Sequence, residues 1–255
     1  EGSVMSAGIG NVETTDELMF DRSLSLDNSL SRMQRQANFG GHQALFDAYR
    51  FSHSRDEHTT TSAYSLNSFG MTLGVAVEPF GQPLVAFVNY HDAELEIDNG
   101  THDIDVKSVR LGLSYTGPWS NKYHTLRNYL VIGRNEFDGV RDVLVNQNTS
   151  TGLTTVDASW HSTEAEIGID IDSNVTLDSQ FKIKTRIGLA AQIEHIGSYA
   201  EASYFAWDDR TVVQSHAKAE ATLNFQAFEG TNIYGTAGLW RRDVHSGATA
   251  DYSIN

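Results

Sequence analysis

The segment at residues 181–193 reads FKIKTRIGLAAQI, and every second position in it is apolar or threonine. Ile183 and Ile187 therefore fall on one side of an extended chain. Lys182 and Arg186 fall on the other side. Because successive side chains of a strand point to opposite faces, this period of two predicts a β-strand with one apolar and one polar face.

The same alternation recurs along most of the chain from about residue 40 onward. It is clearest at residues 69–77, 109–115, 164–171 and 217–227. We predict strands near residues 42–54, 63–78, 83–97, 103–116, 123–136, 159–173, 180–196, 211–228 and 231–244, with a partial tenth strand near 249–255. The chain thus has the pattern of an all-β domain.

The connections between the predicted strands alternate in length. Short connections lie at residues 78–82, 117–122, 172–179 and 229–231, and longer polar ones at 54–61, 98–102, 137–158 and 197–210. Up-and-down barrels of bacterial outer membranes have short periplasmic turns and long outer loops. The alternation therefore places the start of the first strand on the periplasmic side.

Residues 14–36 differ from the rest, because Leu18, Leu26 and Leu30 recur at nearly helical spacing. Asp16 lies early in this segment, where the helix dipole favours an acidic group. We predict one helix here, with a polar side suited to a hydrated lumen. The expected domains are a linker and pore-threading helix at 1–38 and a barrel at 39–255.

Composition limits the function. The 255 residues carry a formal net charge of −15, which opposes binding to nucleic acid, and they include no cysteine, which excludes disulfides. No run of about 20 apolar residues is present, so a transmembrane helix is excluded and membrane insertion requires a barrel. The mean hydropathy of −0.35 does not contradict a barrel, because only alternate residues face lipid.

Two arrangements of the alternating strands are open. In soluble β-sandwiches and lipocalin-like barrels the apolar face turns inward. The polar face here mixes Lys, Arg, Glu, Gln and Thr with several Gly, which favours an enclosed hydrated pore. We therefore predict a transmembrane antiparallel up-and-down β-barrel of about 10–12 strands, with the N-terminal helix in its lumen.

Charged residues on the polar faces are the candidate lumen residues. Folding the hairpin about its predicted turn places Asp170 near Lys182 and Glu166 near Arg186, and the following strand brings Glu220 toward Arg186. The full candidate set for the lumen is Asp27, Asn28, Arg32, Arg35, Glu164, Glu166, Asp170, Lys182, Lys184, Arg186 and Glu220.

These features resemble a known family. The predicted helix is followed by HQALFDAYR at 42–50, SFGMTLGV at 68–75 and SVRLGLSY at 108–115, and RNEFDGVR at 134–141 looks like the start of a long third outer loop. The pattern resembles the translocator domain of bacterial autotransporters, the type V secretion proteins. That resemblance implies a bacterial outer-membrane location, an upstream passenger, and assembly by the barrel-assembly machinery.

Two features depart from the family pattern. Its members end in a strand that closes on Phe or Trp, whereas this sequence stops at Tyr252-Ser253-Ile254-Asn255. The strand count also falls short of the family's. We expect either further strands beyond this sequence or a smaller type of barrel.

The resemblance suggests one candidate for chemistry in the helix. Some autotransporters cleave themselves in the pore, where an Asn side chain cyclises against its own peptide bond, and Asn28 occupies a similar position. We favour an ordinary polar helix residue, because the residues on both sides of the junction are present.

A rival enzyme hypothesis is an omptin-like outer-membrane protease, in which paired Asp and Asp-His residues activate water. Asp103 and Asp105, with Asp243 and His245, have the required spacings near predicted outer strand ends. A passenger-free porin-like or adhesin barrel is the non-enzymatic alternative. The His residues are scattered, so we predict neither a metal nor a cofactor.

Overall fold

The protein is described by a computed structural model, which covers residues 12–37, 42–55, 63–79, 81–97, 102–119, 121–144, 153–176, 180–201, 205–228, 231–245 and 252–254. Its elements are α1 (Val12–Ala37), β1 (Gln43–Arg55), β2 (Tyr64–Val77), β3 (Leu84–Ile97), β4 (His102–Trp119), β5 (Asn121–Leu144), β6 (Leu153–Thr176), β7 (Phe181–Ile196), β8 (Tyr199–Glu201), β9 (Phe205–Trp207), β10 (Arg210–Phe228), β11 (Thr231–Val244) and β12 (Tyr252–Ile254). The predicted helix is confirmed. No described helix is long and apolar enough to cross a membrane.

Nine strands form one sheet in the order β1-β2-β3-β4-β5-β6-β7-β10-β11, and every neighbouring pair is antiparallel. The helix contacts β1, β2 and β3 on one side and hydrogen-bonds to β5 and β7 on the other. The sheet therefore curls around α1. This confirms the predicted antiparallel architecture with a central helix, although no ladder hydrogen bonds join β1 to β11 within the described residues.

The lengths of β5 and β6 differ from the prediction. Residues 137–144 and 153–158 belong to these strands, so the predicted loop at 137–158 was wrong over both segments. The resemblance-based prediction that 134–141 begins that loop was wrong for the same reason. The alternation continues there, with Phe137 buried and Asp138 exposed. The hydroxyl of Ser159 donates to Asp138 across the strands at 2.6 Å. Because this outward face is polar, its strand character was hidden from a search for apolar alternation.

The predicted loop at 197–210 contains the β8–β9 hairpin. The aromatic rings of Phe137 and Trp160 stack at 5.1 Å between centroids, and Tyr199 of the hairpin stacks on Trp160 at 4.8 Å. Trp207 continues the stack beyond Tyr199 at 6.2 Å. The predicted tenth strand is represented by β12, which pairs with β9 in a separate small sheet.

The two faces of the large sheet have opposite character. Large apolar side chains are exposed on the convex face, with Ile187 63% and Leu239 80% accessible. Phe69 and Leu223, whose packing in a core would have indicated a soluble fold, are each 46% exposed. The concave face buries charged and apolar side chains together around the helix. The soluble alternative with its apolar face inward does not fit this distribution.

Gly168 permits a close cross-strand contact. It lies opposite Tyr129, and a Cβ atom at Gly168 would lie 2.2 Å from that aromatic ring. We expect Gly168→Val to lower the free energy of unfolding by about 1–3 kcal/mol, because the ring must leave its packed position. Chemical denaturation followed by tryptophan fluorescence measures the change. Gly235→Val is the control, since nothing lies within 4 Å of a Cβ there, and equal losses in both variants would contradict this role.

Candidate functional site

The candidate site is the interior of the curled sheet, which α1 occupies. Apolar helix residues such as Leu26 and Met33 are fully buried, and so are the charged residues Arg22 and Asp27. Most of the helix is buried, so much of its polar face lies in a region shielded from bulk water. Each buried charge then needs a partner on the surrounding strands.

Asp27 lies at the middle of the helix and meets cations from three strands. Its carboxylate accepts hydrogen bonds from Arg127 of β5 and Lys218 of β10. The guanidinium of Arg186 on β7 lies 3.9 Å away. One helix carboxylate thus links strands that are far apart in the sequence.

Further carboxylates complete this central charge cluster. Asp170 accepts a hydrogen bond from Nε of Arg127 at 2.8 Å and lies 2.8 Å from Nζ of Lys218. Asp172 accepts a hydrogen bond from Nε of Arg186 at 2.8 Å. The cluster comprises the acids Asp27, Asp170, Asp172 and Glu220 and the bases Arg127, Lys184, Arg186 and Lys218. The acids and bases are equal in number, so the buried charge is balanced.

A second set of polar contacts surrounds Arg22, nearer the start of the helix. The Arg22 guanidinium donates to Glu164 at 3.2 Å and to Glu194 at 2.5 Å. Nη1 of Arg110 donates to the Arg22 carbonyl oxygen at 2.9 Å, and its other nitrogens donate to Asn89. These bonds join the helix backbone as well as its side chains to β3, β4, β6 and β7.

Both ends of the helix are also tied to strands. Near its start, Glu17 accepts two hydrogen bonds of 2.8 Å from Arg242 and a third of 2.8 Å from the Tyr64 hydroxyl. Near its end, Arg32 donates to Asp47 at 2.7 and 2.8 Å. The helix is therefore anchored along its whole length.

This geometry can be compared with known proteins. No protein-family model matches the chain, and neither does any curated protein. The translocator domain of the autotransporter NalP from Neisseria meningitidis is similar, with a TM-score of 0.75 at 14% identity over 98% of this chain and 85% of that one. The beta domain of the Bordetella autotransporter BrkA has a TM-score of 0.55 at 12% identity, over 80% of this chain and 81% of that one.

The chain has the autotransporter translocator-domain fold. Within that fold, the structure places Glu164, Glu166 and Asp170 of the predicted lumen set on the buried concave face. Arg186 and Glu220 meet there, with 3.6 Å between their charged groups.

Other members of the predicted set lie differently. Lys182 is exposed at the start of β7, and Lys184 is half-buried with its Nζ 3.1 Å from Asp172. Asn28 is half-buried in the helix, and its interpretation as an ordinary polar residue in place of a self-cleavage site stays a prediction. The side chain of Arg35 lies outside the described residues.

The predicted pairing across β6 and β7 was wrong in register. Asp170 lies opposite Gly188 instead of Lys182, and Glu166 lies opposite Gln192 instead of Arg186. β6 extends into the predicted turn and ends at Thr176, and β7 begins at Phe181, so the turn lies further along the chain than predicted. The residues kept the correct faces because the shift is an even number of positions.

Several central residues of the translocator fold were not singled out from the sequence. Arg110 and Lys218 occupy polar positions in alternating segments, and this parity was a usable signal. Arg127 lies in a stretch with weaker alternation. Arg22 could not be distinguished from other polar helix residues, because its partners Glu164 and Glu194 come from distant strands.

The four protease candidates do not form a cluster. Asp103 and Asp105 are exposed on the convex face of β4, and four strands separate β4 from β11. On β11, Asp243 contacts Arg241 at 3.3 Å, and the adjacent His245 contacts Ser215 at 2.8 Å. The proposed activation of water by these groups together is not supported by their positions.

The central charge cluster gives a prediction about stability. Removing one member of a buried ion pair costs about 3–5 kcal/mol, because its partner keeps a buried, uncompensated charge. We expect Asp27→Asn to lower the free energy of unfolding by about that amount, measured by chemical denaturation. The matched control is Asp243→Asn, which affects an exposed pair and should cost no more than about 1 kcal/mol. Comparable losses in the two variants would contradict the role of Asp27.

Proposed function

We propose that this chain is the outer-membrane translocator and anchor domain of an autotransporter, which exports or displays an upstream passenger. The observation that carries the proposal is the helix α1, enclosed by the sheet and paired with it through charged groups at every level. In this proposal residues 1–38 are the linker and pore-threading helix, and residues 39–255 are the barrel.

The convex face supports a location in the bacterial outer membrane. Neighbouring strands expose Leu73, Val88, Leu111 and Ile132 directly opposite one another. An exposed apolar surface of this extent is unfavourable in water and favourable against acyl chains. Strands β2 to β7 and β10 pair with a neighbour on each side, which satisfies their backbone groups as a membrane requires. Lipid is therefore a proposed partner, together with the barrel-assembly machinery.

The direction of the helix supports export. Its start is held by Arg242, near the end of β11 and beside the longer connections, whereas its end contacts Asp47 near the start of β1. Long connections are expected on the outer side. A passenger preceding α1 would then leave through the outer mouth, and the helix would stay behind in the lumen.

The alternatives fit less well. A passenger-free porin-like barrel needs an open aqueous path, and here buried side chains of α1 occupy the middle of the sheet. The omptin-like protease needs four residues in one place that lie on two separated strands. The net charge of −15 opposes binding to nucleic acid, so the proposal includes no nucleic-acid partner.

A prediction about conductance follows from the enclosed helix. Deleting residues 14–36 should raise the single-channel conductance in planar bilayers severalfold, because the lumen would fill with water. Heat-dependent mobility on electrophoresis shows whether the deletion variant still folds. A folded deletion variant with unchanged conductance would count against a plugging helix.

A disulfide can hold the helix in place for comparison. The hydroxyl oxygens of Ser29 and Thr72 are 2.7 Å apart, and the sequence contains no other cysteine that could interfere. We expect Ser29→Cys with Thr72→Cys to crosslink on oxidation and to keep conductance low. If the oxidised protein instead conducts as well as the deletion variant, current passes around the helix and the helix does not plug the lumen.

The direction of export can be tested on intact cells. A reporter fused before residue 1 should be cut by protease added outside. The same reporter inserted after residue 178, in the short connection between β6 and β7, should lie on the periplasmic side and be protected. Protection of both reporters would contradict export, because the upstream reporter would have remained in the periplasm.

A further inference from the structure

The convex face carries an apolar groove with an exposed arginine, Arg134, at its outer end. The groove has a volume of about 760 Å³ and is lined by Leu73, Val88, Leu111 and Ile132, and by the smaller Ala86 in the next row of the sheet. It crosses strands β1 to β5. Its walls are almost wholly apolar, so it fits acyl chains better than a polar ligand.

Arg134 stands immediately above this groove. It lies on β5, two positions beyond Ile132 on the same face, which corresponds to about 7 Å along a strand. Its neighbours across the sheet are Val109 and Thr163, which carry no charge. Arg134 is exposed, and within the described part of the chain no carboxylate forms an ion pair with it.

Lys107 and Arg50 lie at a similar level of the convex face. Lys107, on β4, is directly opposite Asp92 and Glu136, so its charge is partly offset. Arg50 is exposed on β1 opposite Phe69, in the same cross-strand row as Lys107. Arg134 stands one row nearer to the groove than either of them, and its planar guanidinium can bind two phosphate oxygens at once.

A tier of carboxylates lies beyond these cations. Glu94, Asp105 and Asp138 are directly opposite one another on three adjacent strands, and all are exposed. Like charges placed opposite each other destabilise a sheet unless donors approach them. Desolvation, together with the charges of Asp92 and Asp138, raises the pKa of Asp105, which lies beyond the apolar band. Hydroxyl groups of a sugar are donors that suit this tier.

We propose that the groove and Arg134 bind one phosphorylated glycolipid of the outer leaflet. Its acyl chains would lie in the groove, its phosphate would meet Arg134 with help from Lys107, and its sugar hydroxyls would donate to the carboxylate tier. A simple glycerophospholipid would satisfy the groove and the cation but would bring few donors to the carboxylates. The inference rests on the proposed membrane-spanning function.

Native mass spectrometry of the full chain in detergent tests the site. The probes are diphosphorylated lipid A, its dephosphorylated form and phosphatidylglycerol. Each cation near a lipid surface contributes about 1 kcal/mol, so Arg134→Gln should weaken binding of the diphosphorylated form about fivefold. Lys107→Gln with Arg134→Gln should weaken it about 30-fold. The dephosphorylated form should bind weakly to all variants.

Two further variants make the result specific. Arg241→Gln is the matched control, since Arg241 is exposed on β11 and already contacts Asp243 at 3.3 Å; its binding should be unchanged. Ala86→Trp should weaken binding by filling the groove. Equal binding of the phosphorylated and dephosphorylated forms, equal effects of Arg134→Gln and Arg241→Gln, or a second copy of the chain in place of lipid would each overturn the inference.

The outcome can be separated from the proposed function. Flotation of the folded chain with liposomes measures membrane insertion without regard to lipid type. Failure to float would contradict the membrane function. Normal flotation combined with phosphate-independent binding would overturn only the glycolipid site, and stronger binding of phosphatidylglycerol than of lipid A would do the same.

Discussion

Charge compensation between the helix and the surrounding strands is the constraint on which this structure depends. A helix bearing Arg22 and Asp27 could not be enclosed by an apolar sheet, because each buried charge would lack a counter-charge. The concave face supplies these counter-charges from β5, β6, β7 and β10. The helix and the sheet are consequently specified together, and neither has a suitable environment without the other.

This arrangement explains why the chain can be acidic and moderately hydrophilic while presenting an apolar exterior. The polar residues are gathered where the helix lies and at the outer ends of the strands, and the apolar ones face away from the helix over the middle of the sheet. The aromatic stack from Phe137 to Trp207 extends the interior toward the outer mouth. The proposed membrane anchor and the proposed export path thus occupy opposite sides of the same strands.

Much of the fold could be predicted from local patterns, because alternation and helical spacing are local properties. Helix α1 and most strand bounds follow from them, and so does the inward direction of Glu164 and Arg186. The register of β6 against β7 could not be predicted, since it depends on where the turn falls. The partners of Arg22 lie more than a hundred positions away, and single-sequence spacing carries no signal for such contacts. The β8–β9 hairpin was missed because its strands are very short.

The strict two-residue alternation also limits how such a chain can change in length. One extra residue in the middle of β6 would turn Glu164 and Glu166 toward the exterior or bring Ile167 and Ile169 against the helix, depending on its position. Two extra residues would keep the faces but displace every cross-strand partner beyond them. Insertions and deletions should therefore accumulate between strands, where even an odd number of residues leaves the side-chain directions within each strand unchanged. The strands of the curled sheet can therefore change mainly by substitution.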